Sequence, residues 1–458
     1  MSGVSATEGQ AKPPGAAPGP RGRWIFGCAK DLQQDPLGFY ERTWRQYGDF
    51  ARVRVMAGMY LYMLFRPEDV EHVLVRNHRN YRKPDFFSKP LGSVAGKGLV
   101  TSEGELWKTQ RKLAQPAFHR DRVAALIPTM IQATQGLADE WSQGTAGQIL
   151  DIQHAMSKLT LKIAGLTLFG ADLSSEVSSL GTAFKTAFDH VRLRMNNQAL
   201  PPEWVPTAEN RRFRKAKLVL DQVVAEMIAA RRAEGQVRGD FLGMMLAARD
   251  DETGQGMSDA QLRDEALTLL LAGHDTVGAA LSWTWYLLGQ HPQIQDDIAR
   301  ELQTLPANPT AADMASLTLT RAAFEETLRL YPPAPGQPRQ AIGPDQINGY
   351  TIPKNSYVMV CQWVTHRDPQ FWSDPLTFDP RRFLPGADED RPKFAYFPFG
   401  GGPRSCIGQH FAMMEGVLIL ATILRRFRVE LVPGQSIVPD TTFTIKPKPG
   451  VNVRLWPR

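Results

Sequence analysis

The chain has 458 residues, of which 43% are hydrophobic and 22% charged, and 53 basic against 47 acidic side chains leave a net charge of +6. A chain of this length and apolar content can bury a large core, which excludes disorder as its dominant state. The basic excess is too small to indicate nucleic-acid binding. Three cysteines are too few for a disulfide framework, so we expect a reducing compartment, the cytoplasm.

The N-terminal residues 1–23 are rich in Gly, Ala, Pro and Ser and predict a disordered tail. They lack the apolar core of a signal peptide and the roughly 20 apolar residues of a membrane anchor. Residues 266–290 are apolar enough to span a bilayer, but His274 and Asp275 lie at their centre, where a charge is costly in lipid. This stretch therefore predicts a buried helix, and no membrane anchor is expected.

Next along the chain, residues 50–65 alternate like strands around a turn at Gly58. Residues 216–228 predict an amphipathic helix. Its predicted apolar stripe consists of Leu218, Val219, Val223, Met227 and Ile228. The basic run at 211–215 is interpreted as the solvated start of this helix rather than a nucleic-acid site.

A capping box at Ser258–Gln261 predicts the start of a long helix that His291-Pro292 ends after Gln290. Such a helix is about 45–50 Å long, and residues 262–271 are apolar on nearly every side, so it is expected to be central. Turn signals then predict a hairpin-like zone over residues 347–364. These elements predict a mainly α fold with a minor β-sheet region (α+β), forming a single large domain over residues 24–458.

Cys406 lies in a loop rich in Gly and Pro, directly before an apolar helical run at 411–427. Glycines let a backbone turn tightly around a bulky group, and a helix N-terminus favours a thiolate by lowering the thiol pKa. These are the properties of a soft metal ligand. Cys28 and Cys361 have no such surroundings and are interpreted as inert.

The loop Phe399-x-x-Gly402-x-Arg404-x-Cys406-x-Gly408 resembles the haem-thiolate loop of the cytochrome P450 family. The resemblance extends from about residue 24 to the C-terminus. It implies a haem b whose iron is bound by the Cys406 thiolate, with Phe399, Arg404 and Gly408 also in contact with the cofactor.

Glu326-Thr-Leu-Arg329 resembles the Glu-x-x-Arg motif of the same family, and an i, i+3 spacing places both side chains on one helix face. Residues 378–383 resemble its partner segment, with Arg382 at the arginine position. The resemblance implies a buried structural network of Glu326, Arg329 and Arg382. Arg381 stands where relatives usually carry glutamate.

Ala272-Gly273-His274-Asp275-Thr276 resembles the family's oxygen-activation motif. Gly273 with the acid and the hydroxyl after it can open a local bulge in the helix. The resemblance assigns proton relay to Asp275 and Thr276, and a place beside the haem to Ala272.

Donors for the two haem propionates are implied on three further segments. Trp107 and Arg111 share a helix face at i, i+4, and Arg404 lies in the cysteine loop. Arg339 falls where the family often places another propionate arginine.

The resemblance implies a monomeric monooxygenase that inserts one oxygen atom of O2 into a C–H or C=C bond. Apolar residues at the expected substrate walls indicate a fatty acid, terpenoid or polycyclic substrate. These wall residues are Phe86, Phe87, Leu99, Ala334 and Phe443. A peroxide-driven or isomerising haem-thiolate enzyme and a non-catalytic haem sensor are the alternatives.

The family domain fills the chain, so electrons are expected from a separate ferredoxin or flavodoxin with an NAD(P)H-dependent reductase. The candidate docking residues for this donor are basic: Lys108, Lys112, Arg120, Lys393, Arg425 and Arg426.

Overall fold

The computed structural model describes residues 17–24, 26–56, 58–173, 177–197, 200–234, 239–249, 254–306, 309–387 and 389–458. The α-helices are α1 (Ala29–Gln34), α2 (Pro36–Tyr47), α3 (Pro67–Glu71), α4 (Asp85–Ala95), α5 (Gly104–Ala114), α6 (Arg120–Ala124), α7 (Ile127–Ser142), α8 (Ile152–Ala164), α9 (Val177–Asn196), α10 (Ala208–Ala233), α11 (Phe241–Ala247), α12 (Asp259–Gln290), α13 (Pro292–Glu301), α14 (Ala311–Ala315), α15 (Thr318–Leu330), α16 (Gln362–Thr365) and α17 (Gln409–Leu424).

The strands are β1 (Phe50–Met56), β2 (Met59–Leu64), β3 (Tyr81–Arg82), β4 (Gln148–Asp151), β5 (Gln337–Ala341), β6 (Asp345–Ile347), β7 (Tyr350–Ile352), β8 (Tyr357–Val360), β9 (Phe427–Leu431), β10 (Val438–Asp440), β11 (Lys446–Lys448) and β12 (Asn452–Pro457). The mainly α class with small sheets is therefore confirmed. Within the described ranges, none of the helices combines the length and apolar character needed to cross a bilayer.

The chain forms two compact units, each built from separate stretches of sequence. The first unit contains the described residues up to Pro84 together with Gly336–Asp368 and Pro392–Arg404. Its five-stranded sheet has the order β1-β2-β8-β5-β3, and β6 and β7 form a separate hairpin. The Asn348-Gly349 turn of that hairpin has positive φ at both residues, as a tight two-residue turn requires.

The predicted strand pair is confirmed, because β1 and β2 are antiparallel around Gly58. The predicted tail differs from the structure in part. Residues 1–16 lie outside the described residues, but residues 17–23 lie along β1. There the Arg52 N–H donates to the Pro18 carbonyl at 2.7 Å, and the Arg54 guanidinium donates to the Arg23 carbonyl at 2.6 Å. β1 is an edge strand with unpaired backbone groups, which this segment satisfies.

The second unit contains Asp85–Pro335, Pro369–Arg391 and Ser405–Arg458, and α12 runs through its core. The capping box at Ser258 and the end at Gln290 are confirmed. Helices α8, α10, α15 and α17 all pack on α12. Its two tryptophans, Trp283 and Trp285, are almost completely buried. A helix that is apolar on every side is stable only in such a position.

The predicted stripe on α10 is wrong in part. Leu218 and Val219 are exposed, with 67% and 38% of their surface accessible, whereas Met227 and Ile228 are buried as predicted. The buried face of α10 consists of Phe213, Ala216, Leu220, Val224, Met227 and Ile228. These residues follow the helical spacings of three and four, and all but Phe213 lie within the predicted range 216–228. The prediction therefore covered the right residues but assigned the apolar Leu218 and Val219, which lie on the exposed side, to the buried face.

Candidate active site

Two glycines shape the loop before Cys406. Gly400 and Gly402 have φ angles of +71° and +64°, a left-handed conformation that other residues rarely adopt. A Cβ at Gly402 would lie 1.9 Å from the Leu74 carbonyl oxygen, so no other residue fits there. The loop path is therefore set by close backbone packing within the first unit.

The three thiols differ in their surroundings. Burial raises the pKa of Cys361 to about 12 and also raises the pKa of Cys28, and such thiols are inert. Cys406 is exposed, yet the protein around its sulfur raises its pKa as well. The Gly408 N–H, just before α17, and the Arg111 charge act in the opposite direction but more weakly. The start of α17 thus lowers the thiol pKa as expected, but the loss of solvent around the sulfur raises it by more.

These surroundings nevertheless fit a thiolate bound to iron. Cys406 as a residue is exposed, so a bulky group can approach it, while a backbone N–H and a guanidinium stabilise the negative form of its sulfur. Thiolate is a soft ligand found in haem and iron–sulfur sites. Metal binding itself deprotonates a thiol, which overcomes the rise in the Cys406 pKa caused by the protein atoms around its sulfur.

Arg111 connects α5 to the cysteine loop. Its Nη1 donates to the Ser405 carbonyl at 3.0 Å, and burial lowers its pKa. Trp107 is half-buried one turn earlier on the same helix. The other predicted haem contacts, Phe399, Arg404 and Arg339, belong to the first unit, where Arg339 donates to the Pro338 carbonyl from β5.

The structure brings Glu326, Arg329 and Arg382 together. Arg329 donates from Nε and Nη2 to the two carboxylate oxygens of Glu326, both at 2.7 Å, and both side chains are completely buried. Arg382 Nε lies 3.4 Å from Glu326 Oε1, with 10% of its side chain exposed. A bidentate pair of this kind has the strongest geometry available to an arginine and a carboxylate.

The same pair fixes the segment that follows α15. Arg329 also donates to the carbonyls of Pro375 and Thr377, at 2.7 and 3.2 Å, and the Asp379 N–H donates to Glu326 at 3.0 Å. The two charged side chains therefore satisfy loop backbone groups at Pro375, Thr377 and Asp379 that lie outside the helices and strands. Arg381, which stands where relatives usually carry glutamate, does not enter this buried network, because its exposed side chain pairs with Asp379.

A half-accessible strip interrupts the buried surface of α12. It consists of Ala272, Gly273 and Thr276, which lie between fully buried residues. A Cβ added at Gly273 would meet only Leu168, at 3.5 Å. The strip therefore borders an open space inside the second unit.

The predicted bulge at this motif is not formed, because α12 is α-helical from Asp259 to Gln290. Thr276 Oγ1 instead donates to the Ala272 carbonyl at 2.8 Å, one turn back along the helix. Threonines in helix interiors often bond back to the i−4 carbonyl in this way.

Asp275 faces away from the strip. Its carboxylate is buried, accepts a hydrogen bond from Thr444 Oγ1 at 2.7 Å, and forms an ion pair with Lys446. No motif marks Thr444 or Lys446 in the sequence, and both were missed. They are separated from Asp275 by 169 and 171 residues, so only the tertiary structure reveals them.

The predicted substrate residues all belong to the second unit. Phe86 and Phe87 are half-buried in the first turn of α4, which packs on α9 and α12. The Leu99 N–H donates to Glu265 of α12 at 3.1 Å. Phe443 stacks on Phe188 of α9, with ring centroids 4.2 Å apart. Ala334 is exposed in the turn before β5.

The docking candidates divide into two groups. Lys112 and Arg120 lie near the start of α17, because Arg120 Nε donates to His410 at 3.3 Å and Lys112 lines an adjacent open groove of about 780 Å³. Lys108 pairs with Glu105 on the exposed side of α5.

Arg425 and Arg426 follow the far end of α17, about 24 Å from its start, so their placement on the cysteine side was wrong. There they bind the Pro306 carbonyl and Asp139. Lys393 belongs to the first unit.

Comparison with known proteins identifies the family. The family model described as "Cytochrome P450" matches residues 17–453. The chain belongs to the cytochrome P450 family. Cyclooctatin synthase of Streptomyces melanosporofaciens is 34% identical, with 94% of this chain and 93% of the relative covered. Cyclooctat-9-en-7-ol 5-monooxygenase of the same organism is 32% identical, with 93% and 90% covered.

Pentalenene oxygenase of Streptomyces avermitilis is 29% identical, with 97% of each chain covered. The crystal structure of the cytochrome P450DA heme domain superposes with a TM-score of 0.88 at 27% identity, covering 98% of this chain and 99% of that one. The protein is thus a cytochrome P450 monooxygenase, an enzyme with a thiolate-ligated haem. Cys406 is the residue predicted to bind that iron, and its surroundings suit such a ligand.

Proposed function

We propose that this cytochrome P450 inserts one oxygen atom of O2 into a C–H or C=C bond of a terpenoid, with electrons from a separate ferredoxin or flavodoxin. The observation that carries the proposal is the half-accessible strip on α12. Ala272 and Gly273 offer a small apolar surface, and Thr276 adds one hydroxyl, which suits a hydrocarbon skeleton beside a reacting centre. The names of relatives that act on cyclooctat-9-en-7-ol and pentalenene support the substrate class.

When bound, the haem supplies the oxygen chemistry that protein side chains lack. Cys406 would hold the iron. Trp107, Arg111, Arg339 and Arg404 would donate to the propionates, since guanidinium groups bind carboxylates in a bidentate manner. The protein's own task is then to orient the substrate, exclude water and deliver protons.

Thr276 and Asp275 would deliver those protons. Thr276 Oγ1 borders the open space and can hold a proton there, with the Ala272 carbonyl as its resting acceptor. Asp275 is the adjacent acid, buried on the other side of α12. Their side chains point in different directions because consecutive helix residues are about 100° apart.

The electron donor would dock beside the start of α17. Lys112, His119 and Arg122 line the open groove there, with Asp121 as its one acidic lining residue within the described ranges. An acidic protein is attracted to such a face over roughly 10 Å at moderate ionic strength. The three free thiols fit a reducing compartment and support the cytoplasm as the location.

The test uses the purified holoenzyme and the haem spin state. Pentalenene and cyclooctat-9-en-7-ol are titrated beside palmitate, and we expect a low-to-high spin shift with the cyclic terpenes at lower concentration. Turnover is then compared between ferredoxin, reductase and NADPH on one side and hydrogen peroxide alone on the other. A shift with palmitate only would refute the terpenoid class, and product formed with peroxide only would favour the peroxide-driven alternative.

A further inference from the structure

The carboxylate of the oxygen-activation motif is held by the hairpin that the antiparallel strands β10 and β11 form, residues 438–448. Thr444 donates to Asp275 Oδ2 at 2.7 Å, and Lys446 pairs with Oδ1. The Asp275 side chain is 6% exposed, whereas 36% of the Lys446 side chain is exposed. Lys446 therefore reaches from solvent to a buried acid.

The same hairpin contacts the predicted substrate wall. Phe443 stacks on Phe188 of α9, and Phe188 stacks on Phe184 with centroids 6.4 Å apart. Phe184 in turn packs on the His274 ring of α12 at 5.2 Å. An aromatic chain thus runs from the hairpin, through α9, to the residue beside Asp275.

Ile445 is the fixed point between these two sets of contacts. Its N–H donates to the Pro333 carbonyl at 3.1 Å, and its carbonyl accepts from Trp283 Nε1 at 3.0 Å. Because both backbone groups are bonded and the side chain is buried, the segment can tilt about this residue more easily than it can shift as a whole. Displacing Phe443 would then move Thr444 and Lys446.

We propose that residues 443–446, the coupling segment, link occupancy of the substrate space to proton delivery. Without a ligand, Thr444 and Lys446 hold Asp275 away from Thr276. A ligand that presses on Phe443 tilts the segment and releases the carboxylate. Asp275 Oδ1 then takes a proton from hydronium in bulk solvent and donates it to Thr276 Oγ1, while the Thr276 hydroxyl donates its own proton into the substrate space. Lys446 and Thr444 act as positioning residues. The inference rests on the proposed proton delivery, but not on the terpenoid class.

The first experiment measures lysine reactivity in the holoenzyme. Brief acetylation with acetic anhydride is quantified by peptide mass spectrometry at Lys446 and, as the matched control, at Lys448, which is exposed on the same strand. In the free enzyme we expect Lys446 to react more slowly, because its ion pair protects it. Asp275→Asn should raise the Lys446 rate by about threefold or more and leave Lys448 unchanged, the protection expected of one ion pair.

The ligand used to fill the site is 4-phenylimidazole, whose nitrogen binds haem iron and whose binding is read from the Soret band. We expect it to raise the Lys446 rate as Asp275→Asn does. Pentalenene is a second arm that tests the substrate class separately. A Soret shift with an unchanged ratio of Lys446 to Lys448 labelling overturns the coupling segment, whereas failure of pentalenene alone overturns only the terpenoid class.

The second experiment measures the solvent isotope effect on the haem reaction and the peroxide released per NADPH oxidised. Lys446→Met should lower the dependence of both quantities on bound substrate, taken as the compound that shifts the haem spin state in the titration above, because Asp275 then keeps only the Thr444 hydrogen bond in either state. Lys446→Arg should restore that dependence, and Lys448→Met should leave it unchanged. Equal behaviour of Lys446→Met and the unaltered enzyme, with equal thermal stability, contradicts the proposal.

Discussion

Replacing Glu326 by glutamine tests the buried network most directly. The substitution keeps the size of the side chain but removes its charge, and leaves Arg329 as a cation with no accessible surface. Glutamine offers one oxygen, so one of the two 2.7 Å bonds from Arg329 is lost and an N–H group faces a guanidinium. Its remaining oxygen must also serve the Asp379 N–H and Arg382.

Removing one partner of a buried ion pair costs about 3–5 kcal/mol, because the other charge stays buried without compensation. At this chain length, 1 kcal/mol corresponds to about 1–2 °C in melting temperature, by scaling the values for smaller domains. We therefore expect Glu326→Gln to lower the melting temperature by about 3–10 °C. Circular dichroism of the holoenzyme at neutral pH measures this change, and the reduced carbon monoxide spectrum measures how much protein retains the thiolate-bound haem.

Glu325→Gln is the matched control on the same helix. Glu325 pairs with Arg321, of which 60% of the side chain is exposed, so its loss should cost no more than about 0.5 kcal/mol. Equal melting temperatures for the two variants would refute the argument that burial makes the Glu326 pair costly to break.

Three further predictions concern function and pH. Thr276→Ala should release peroxide at the expense of product, whereas Thr284→Ala, which removes the same type of bond from a buried part of α12, should not. An unchanged yield of product per NADPH oxidised in Thr276→Ala would contradict the proton relay. Lys112→Glu should slow the reduction of the haem by an acidic ferredoxin and weaken the salt dependence of that rate, while Arg425→Glu at the far end of α17 should not. Equal stopped-flow reduction rates for the two variants would count against docking at the groove. Burial raises the pKa of Asp69 to about 6, so the folded state binds this proton more tightly than the unfolded state and stability falls as pH rises from about 4 to 6. Asp69→Asn should therefore raise the free energy of unfolding by up to about 3 kcal/mol at pH 7 and by little at pH 4. If the free energy of unfolding changes with pH in parallel for the two proteins, Asp69 is not the cause of the loss of stability.

Local patterns predicted the elements that local forces decide. The capping box at Ser258 satisfies N–H groups within three residues, so it is readable without the fold. The β1–β2 pair is similarly predictable because its turn at Gly58 needs a left-handed conformation. The α10 stripe failed for the opposite reason, because Leu218 is apolar and yet lies on the exposed side of the helix.

The structure also corrected two statements about charge. The start of α17 after Cys406 lowers the thiol pKa as expected, but the protein atoms that displace water from the sulfur raise that pKa by more. Arg425 and Arg426 were expected among the basic groups on the cysteine side. A 16-residue helix carries them about 24 Å away, which a sequence distance of about 20 residues conceals.

The sequence by itself determined the family, the iron ligand expected at Cys406 and the pairing expected of Glu326 with Arg329, because these depend on residue types at short, fixed spacings. Only the tertiary structure decided what Asp275 contacts. Lys446 reaches it from 171 residues further along the chain, through a hairpin whose position depends on packing against α9 and α12. Contacts of that kind arise from the shape of the whole core, and no local pattern encodes them.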